Sequence, residues 1–105
     1  EAWEARNSDP RTWDVITAVQ ETAERHGVSP SQVALAWLAD RPAVTSVILG
    51  ARNTEQLADN LAAADLVLTE AEAARLTEVS EPRVGVYPYG PMAQEQRSRK
   101  LEGGR

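Results

Sequence analysis

Apolar positions recur along this chain at helical spacing in four places, and one short run between the second and third follows a different pattern. Trp13, Ile16, Val19 and Ala23 lie close to one helix face, and Gly27 after His26 suits a left-handed stop, so a first helix is expected over 12–26. Ser29, Pro30 and Gln32 read as N-cap, first helical residue and capping-box partner of a second helix. Its body, Val33 to Ala39, is apolar nearly all round and predicts burial on more than one side, until Asp40-Arg41-Pro42 ends it. A third helix is capped by Asn53, with Gln56 reaching back, or by Thr54, and turns Leu57, Leu61 and Ala64 inward. Residues 65–68 form an extended bridge. Thr69 and Glu72 then make a further capping box for a fourth helix, striped by Ala73, Leu76 and Val79 and ending near Ser80. Trp13 and Trp37, at helical spacing, are expected in the core.

The exception is Val44 to Leu49, β-branched at Val44, Thr45, Val47 and Ile48. Its low polarity suits a parallel strand covered on both faces, which makes the fold class α/β. A buried strand cannot satisfy its backbone alone, so something must pair with it. Gly50-Ala51-Arg52 follows, and strand, glycine turn and helix opening together make an anion pocket: first-turn N–H groups and the positive end of the helix dipole face a phosphate. The plain alternative is a strand-to-helix turn with a surface arginine.

Composition narrows the chemistry. The chain has 105 residues, one domain at most, with formal net charge -5 and no cysteine. The acidity argues against a nucleic-acid or membrane footprint, and thiolate catalysis and cysteine-ligated metals are excluded. No apolar run reaches the length of a membrane span and the charged first residues do not read as a signal peptide, so a soluble, cytoplasmic protein is expected. His26, the single histidine, has no partners for a metal site and reads as a surface residue favoured by the helix dipole. Residues 1–11 read as a lead-in loop holding a turn cluster at Asn7 to Pro10, with Trp3 tucked in. Residues 81–105, rich in proline and glycine and then polar, read as a loop or tail in which Arg97, Arg99 and Lys100 are solvated.

The run Val28 to Ser80 resembles the C-terminal part of the aldo-keto reductase family. The resemblance is carried by Ala34-Leu35-Ala36-Trp37, Ile48-Leu49-Gly50-Ala51-Arg52, Glu55-Gln56-Leu57, Asn60 and Leu68-Thr69, in order and without gaps, with Tyr87-Pro88-Tyr89 similar to a C-terminal loop of one subgroup. It implies the last strand of a (β/α)8 barrel with its flanking helices and a closing helix, mostly helical as an isolated chain. It implies NADPH as cofactor and a small aldehyde or ketone as substrate. Carried over position by position, Gly50, Ala51, Arg52 and Asn53 lie along the adenosine 2′-phosphate, and Gln56 and Asn60 face the adenine and ribose. The residue types fit, since a phosphate favours a guanidinium and an adenine edge needs amides. In that family Tyr87 and Tyr89 overhang the substrate mouth, though in a proline-rich tail they serve packing equally well.

The family's catalytic tyrosine, lysine, aspartate and histidine have no matching segment here, so the chain is expected to be inactive alone. Such barrels take about 250 residues. The expectation is therefore a cofactor-binding C-terminal part, partnered by the missing barrel portion and prone to self-association. The alternative is a non-enzymatic helical interaction module, or an inactive barrel remnant.

Overall fold

The computed structural model describes Glu4 and residues 8–82, and Trp3, Tyr87, Tyr89 and the Arg97 to Lys100 tail lie outside them. The first helix, α1 (Pro10–His26), begins earlier than its apolar stripe predicts. Asp9 stands in extended backbone and accepts the Arg11 N–H at 3.0 Å, while Pro10, lacking an N–H, takes the first helical position where none is needed. Asp9 and Pro10, expected in a turn, are thus a helix start. At the other end Gly27 adopts φ 66°, and its N–H and that of Val28 turn back to the carbonyls of Glu24 and Ala23. That left-handed backbone is where a side chain would be strained.

Ser29 caps α2 (Pro30–Ala39), its hydroxyl accepting from the Gln32 N–H at 3.2 Å. Asn53, rather than Thr54, caps the short α3 (Thr54–Leu61), which tightens into a 3-10 turn at Ala62–Asp65. The 3-10 turn takes up the start of the bridge expected at 65–68. Thr69 and Glu72 form the reciprocal box that opens α4 (Glu70–Ser80). All three predicted N-caps hold because each side chain meets the N–H three residues on, but the reciprocal box closes only at Thr69 and Glu72, the Gln32 side chain turning instead to Asp59.

Helix α1 packs on both α2 and α4, while α3 and the 3-10 turn lean on α2. The core is small: Ala18 and Ala23 from α1, Val33 from α2 and Leu76 from α4, with Val19, Val28, Trp37, Leu66, Leu68 and Val79 around it. Alanines at the α1 contacts let the helices approach closely. Thr22, buried with them, donates its hydroxyl to the Ala18 carbonyl at 2.8 Å and accepts from Arg25 Nη2 at 3.0 Å. Trp37 joins the core edge as expected, its indole N–H reaching Thr77 Oγ1 at 3.1 Å and its ring lying under the Arg41 guanidinium. Trp13 does not: it is 55% exposed.

Two expectations fail on burial. Helix α2 buries Val33 and Ala36 but leaves Ala34 and Leu38 exposed, and α3 buries no side chain, with Leu57 and Leu61 both exposed. The larger correction concerns Val44 to Leu49, which is irregular, with a bend at Thr45, and forms no strand; no strand occurs among the described residues. Ile48 is 99% exposed. The reason is physical: a strand is defined by its neighbour, and β-branched residues alone supply extended backbone but no ladder.

Candidate functional site

The turn after the Val44 to Leu49 segment is knotted to α3 by three hydrogen bonds. Asn53 Oδ1 accepts the Gln56 N–H at 2.8 Å, closing the cap. Gln56 Oε1 in turn accepts the Arg52 N–H at 3.0 Å, one residue further out than the capping box predicts. Asn60, one turn along the same face, donates Nδ2 to the Gly50 carbonyl at 3.1 Å. Gly50, Arg52, Asn53, Gln56 and Asn60 are therefore brought together, with Ala51 exposed between the first two.

These bonds also decide what each group offers to a ligand. Gln56 uses its carbonyl oxygen within the turn and presents its NH2. Asn60 uses its NH2 and presents its carbonyl oxygen. A donor and an acceptor on one helix face are what a heterocycle edge with both an amine and a ring nitrogen requires. Helix geometry leaves the first-turn N–H groups of Thr54 and Glu55 without intrahelical acceptors, pointing out at the positive end of α3. The Arg52 side chain is exposed beside them, and among the described residues it has no ion-pair partner. Gly50 does not adopt a left-handed conformation, and a Cβ added there meets nothing within 4 Å. Its missing side chain leaves room at the turn without being demanded by the turn.

Next to this turn Ser31, Asn53, Glu55, Gln56, Asp59 and Asn60 line an open groove. Asp59 is a residue that sequence reading passed over. It lies three positions beyond Gln56, so helical spacing alone puts it on the same face. Its carboxylate accepts from Ser29 Oγ at 2.6 Å and from Gln32 Nε2 at 2.7 Å. Those two bonds, the Ser29 one foremost, hold its pKa below the usual carboxylate value. The α3 start thus combines backbone donors with the Glu55 carboxylate, and Asp59 lies further along the same groove.

A second polar cluster joins α1 to α4 away from the groove. Glu72 accepts from His26 Nε2 at 2.8 Å, from the Thr69 N–H at 3.0 Å and from Arg25 Nε at 3.2 Å. His26 is therefore a helix-end residue, as expected, but one engaged across the core. Its partner lies 46 residues away and has no local signal. His26 first, then the Thr69 backbone, lower the Glu72 pKa to about 2. Among the described residues no group of side chains could hold a metal ion, and no helix is long and apolar enough to cross a membrane.

Comparison with known proteins places this geometry in context. The model of the Aldo/keto reductase family matches residues 2–81. The chain is similar to Protein tas of Escherichia coli, 36% identical over 84 residues that cover 80% of this chain and 23% of that protein. It is similar to Aldo-keto reductase str7 of Strobilurus tenacellus, 33% identical over 72 residues, 69% of this chain and 21% of that one. A Putative voltage-gated potassium channel subunit beta of Schizosaccharomyces pombe is 39% identical over 54 residues, 51% of this chain and 16% of that protein. The chain spans less than a quarter of the length of these relatives.

Proposed function

The chain belongs to the aldo/keto reductase family, and from that membership we propose that it supplies the adenosine-holding C-terminal part of an NADP-dependent carbonyl reductase. In this reading Val44 to Leu49 is the last strand of a (β/α)8 barrel, and the strands that would pair with it belong to the rest of that barrel. The absence of a pairing partner for this segment among the described residues and the exposure of Ile48 fit a strand taken without its neighbours.

The observation that carries the proposal is the hydrogen-bonded knot of Gly50, Arg52, Asn53, Gln56 and Asn60. It presents the donors a 2′-phosphate needs at the α3 start, and one turn later a free amide NH2 and a free amide oxygen for adenine. Arg52 adds a guanidinium that has no ion-pair partner among the described residues, which favours NADP over NAD. NADPH supplies the hydride for a small aldehyde or ketone. The residues of this chain bind and orient the far end of the cofactor, and no residue here is assigned to the chemical step. The acidic, cysteine-free composition suits a cytoplasmic setting.

A second reading, an interaction module without activity, draws on the exposure of Ile48 and Val67 and on the likeness to a protein named as a channel subunit. Nucleotide binding separates the two. In the full-length protein, NADPH titration followed by fluorescence should give an affinity that falls about tenfold in Gln56→Ala and Asn60→Ala, each losing one or two hydrogen bonds to the ligand. Unchanged affinity in both variants would refute the cofactor site, and absence of NADPH binding in the parent would favour the module.

A further inference from the structure

Helix α3 carries the amides of the proposed cofactor site, yet little in its apolar packing fixes its direction. It is eight residues long and buries no side chain. Leu57 is 40% exposed and Leu61 57%. What it has instead is a polar clasp to α2. Asp59 Oδ2 accepts from the Ser29 hydroxyl at 2.6 Å, and Oδ1 accepts from Gln32 Nε2 at 2.7 Å. With both oxygens engaged by neighbouring residues of one helix, α3 can neither slide along α2 nor roll about its own axis without breaking a bond.

The clasp is built on a rigid base. The Ser29 hydroxyl donates its one proton to Asp59 while a lone pair accepts the Gln32 N–H, so the same atom caps α2 and grips α3. Helix α2 is itself anchored by Val33, which is fully buried. Both bonds run from donors to an anion, the stronger class of hydrogen bond. Asp59 immediately precedes Asn60 and lies one turn from Gln56, so any rotation of α3 at Asp59 moves both amides relative to Gly50 and Arg52.

We infer that Asp59, held by Ser29 and Gln32, is a positioning residue that sets α3 at the angle the cofactor amides require. The inference rests on the proposed cofactor site and adds to it a coupling between that site and the start of α2, neither of whose two donors lies in the groove.

The test uses the full-length protein with NADPH titrations, steady-state kinetics and melting curves on Ser29→Ala/Gln32→Ala, Gln56→Ala and the triple variant. Residues in one hydrogen-bond network couple, so the expected result is a roughly fivefold rise in the NADPH Kd for the Ser29/Gln32 variant and a smaller Gln56→Ala effect in that background. The kcat at saturating NADPH should stay unchanged, and Ser29→Thr, which keeps cap and donor, should retain the parent affinity. Should the double variant fail to fold, Asp59→Asn, similar in shape but neutral, carries the same expectation. Unchanged NADPH affinity in the folded clasp variant, or strictly additive effects with Gln56→Ala, would overturn the positioning role. If Gln56→Ala alone leaves the affinity untouched with the clasp intact, the cofactor site itself is wrong.

Discussion

Replacing Glu72 with glutamine removes one negative charge from the junction of two helix ends. The α1 C-terminus carries Arg25 and His26 and the α4 N-terminus carries Glu72, so each charge complements its own helix dipole before the pair is counted. The carboxylate accepts three hydrogen bonds at 2.8 to 3.2 Å, and its side chain is 11% exposed. Its pKa is lowered from 4.5 to about 2, by His26 first and by the Thr69 backbone next. A folded-state pKa below the unfolded one means that the stabilisation is present above the unfolded value and is lost as pH falls through the folded one. The full shift corresponds to ~3 kcal/mol, and with solvent access to Arg25 we expect ~2 kcal/mol at pH 7. Urea unfolding of parent and Glu72→Gln at a series of pH values measures it. The gap between the two should close steadily as pH drops from 4.5 toward 2. A gap that is absent at pH 7, or that persists undiminished at pH 2.5, would refute the reasoning.

Three further outcomes follow from the packing and the caps. Leu76→Ala, at 4% exposure in a core otherwise built largely from alanine and valine, should cost about 3 kcal/mol in urea unfolding. Gly27→Ala, at φ 66°, should destabilise by about 1 kcal/mol through backbone strain although its Cβ meets nothing within 4 Å. Asn53→Ala should lower stability by only about 1 kcal/mol, the loss of one cap, yet weaken NADPH binding in the full-length protein by loosening the turn that Gln56 closes.

Local features were legible in the sequence, and features that depend on distant partners were not. Ser29, Asn53 and Thr69 cap as expected because each bond spans three residues. That Gln56 and Asn60 share a helix face is legible from their spacing, whereas their grouping with Gly50, Arg52 and Asn53 is what the family resemblance implies, and the three hydrogen bonds bring these residues together. Asp9-Pro10 reads as a turn but starts a helix, because a turn signal and a helix start use the same residues. Val44 to Leu49 has strand-forming residues but lacks the neighbour that makes a strand. Leu57 and Leu61 follow a core pattern on a helix that leans on α2 yet leaves both of them exposed. The Glu72 cluster and the Asp59 clasp join residues 27 to 47 positions apart, and periodicity carries no such information.

The central claim, that the turn at Arg52 and the start of α3 grip the adenosine 2′-phosphate of NADPH, is tested most directly by the cofactor preference of Arg52→Ala. NADPH and NADH differ only at that phosphate, so parent and variant full-length protein are titrated with each. The NADPH Kd should rise about tenfold, as a charge-assisted phosphate contact of roughly 1.5 kcal/mol is lost, while the NADH Kd stays where it was. Equal losses for both nucleotides, or no loss for NADPH, would contradict the account.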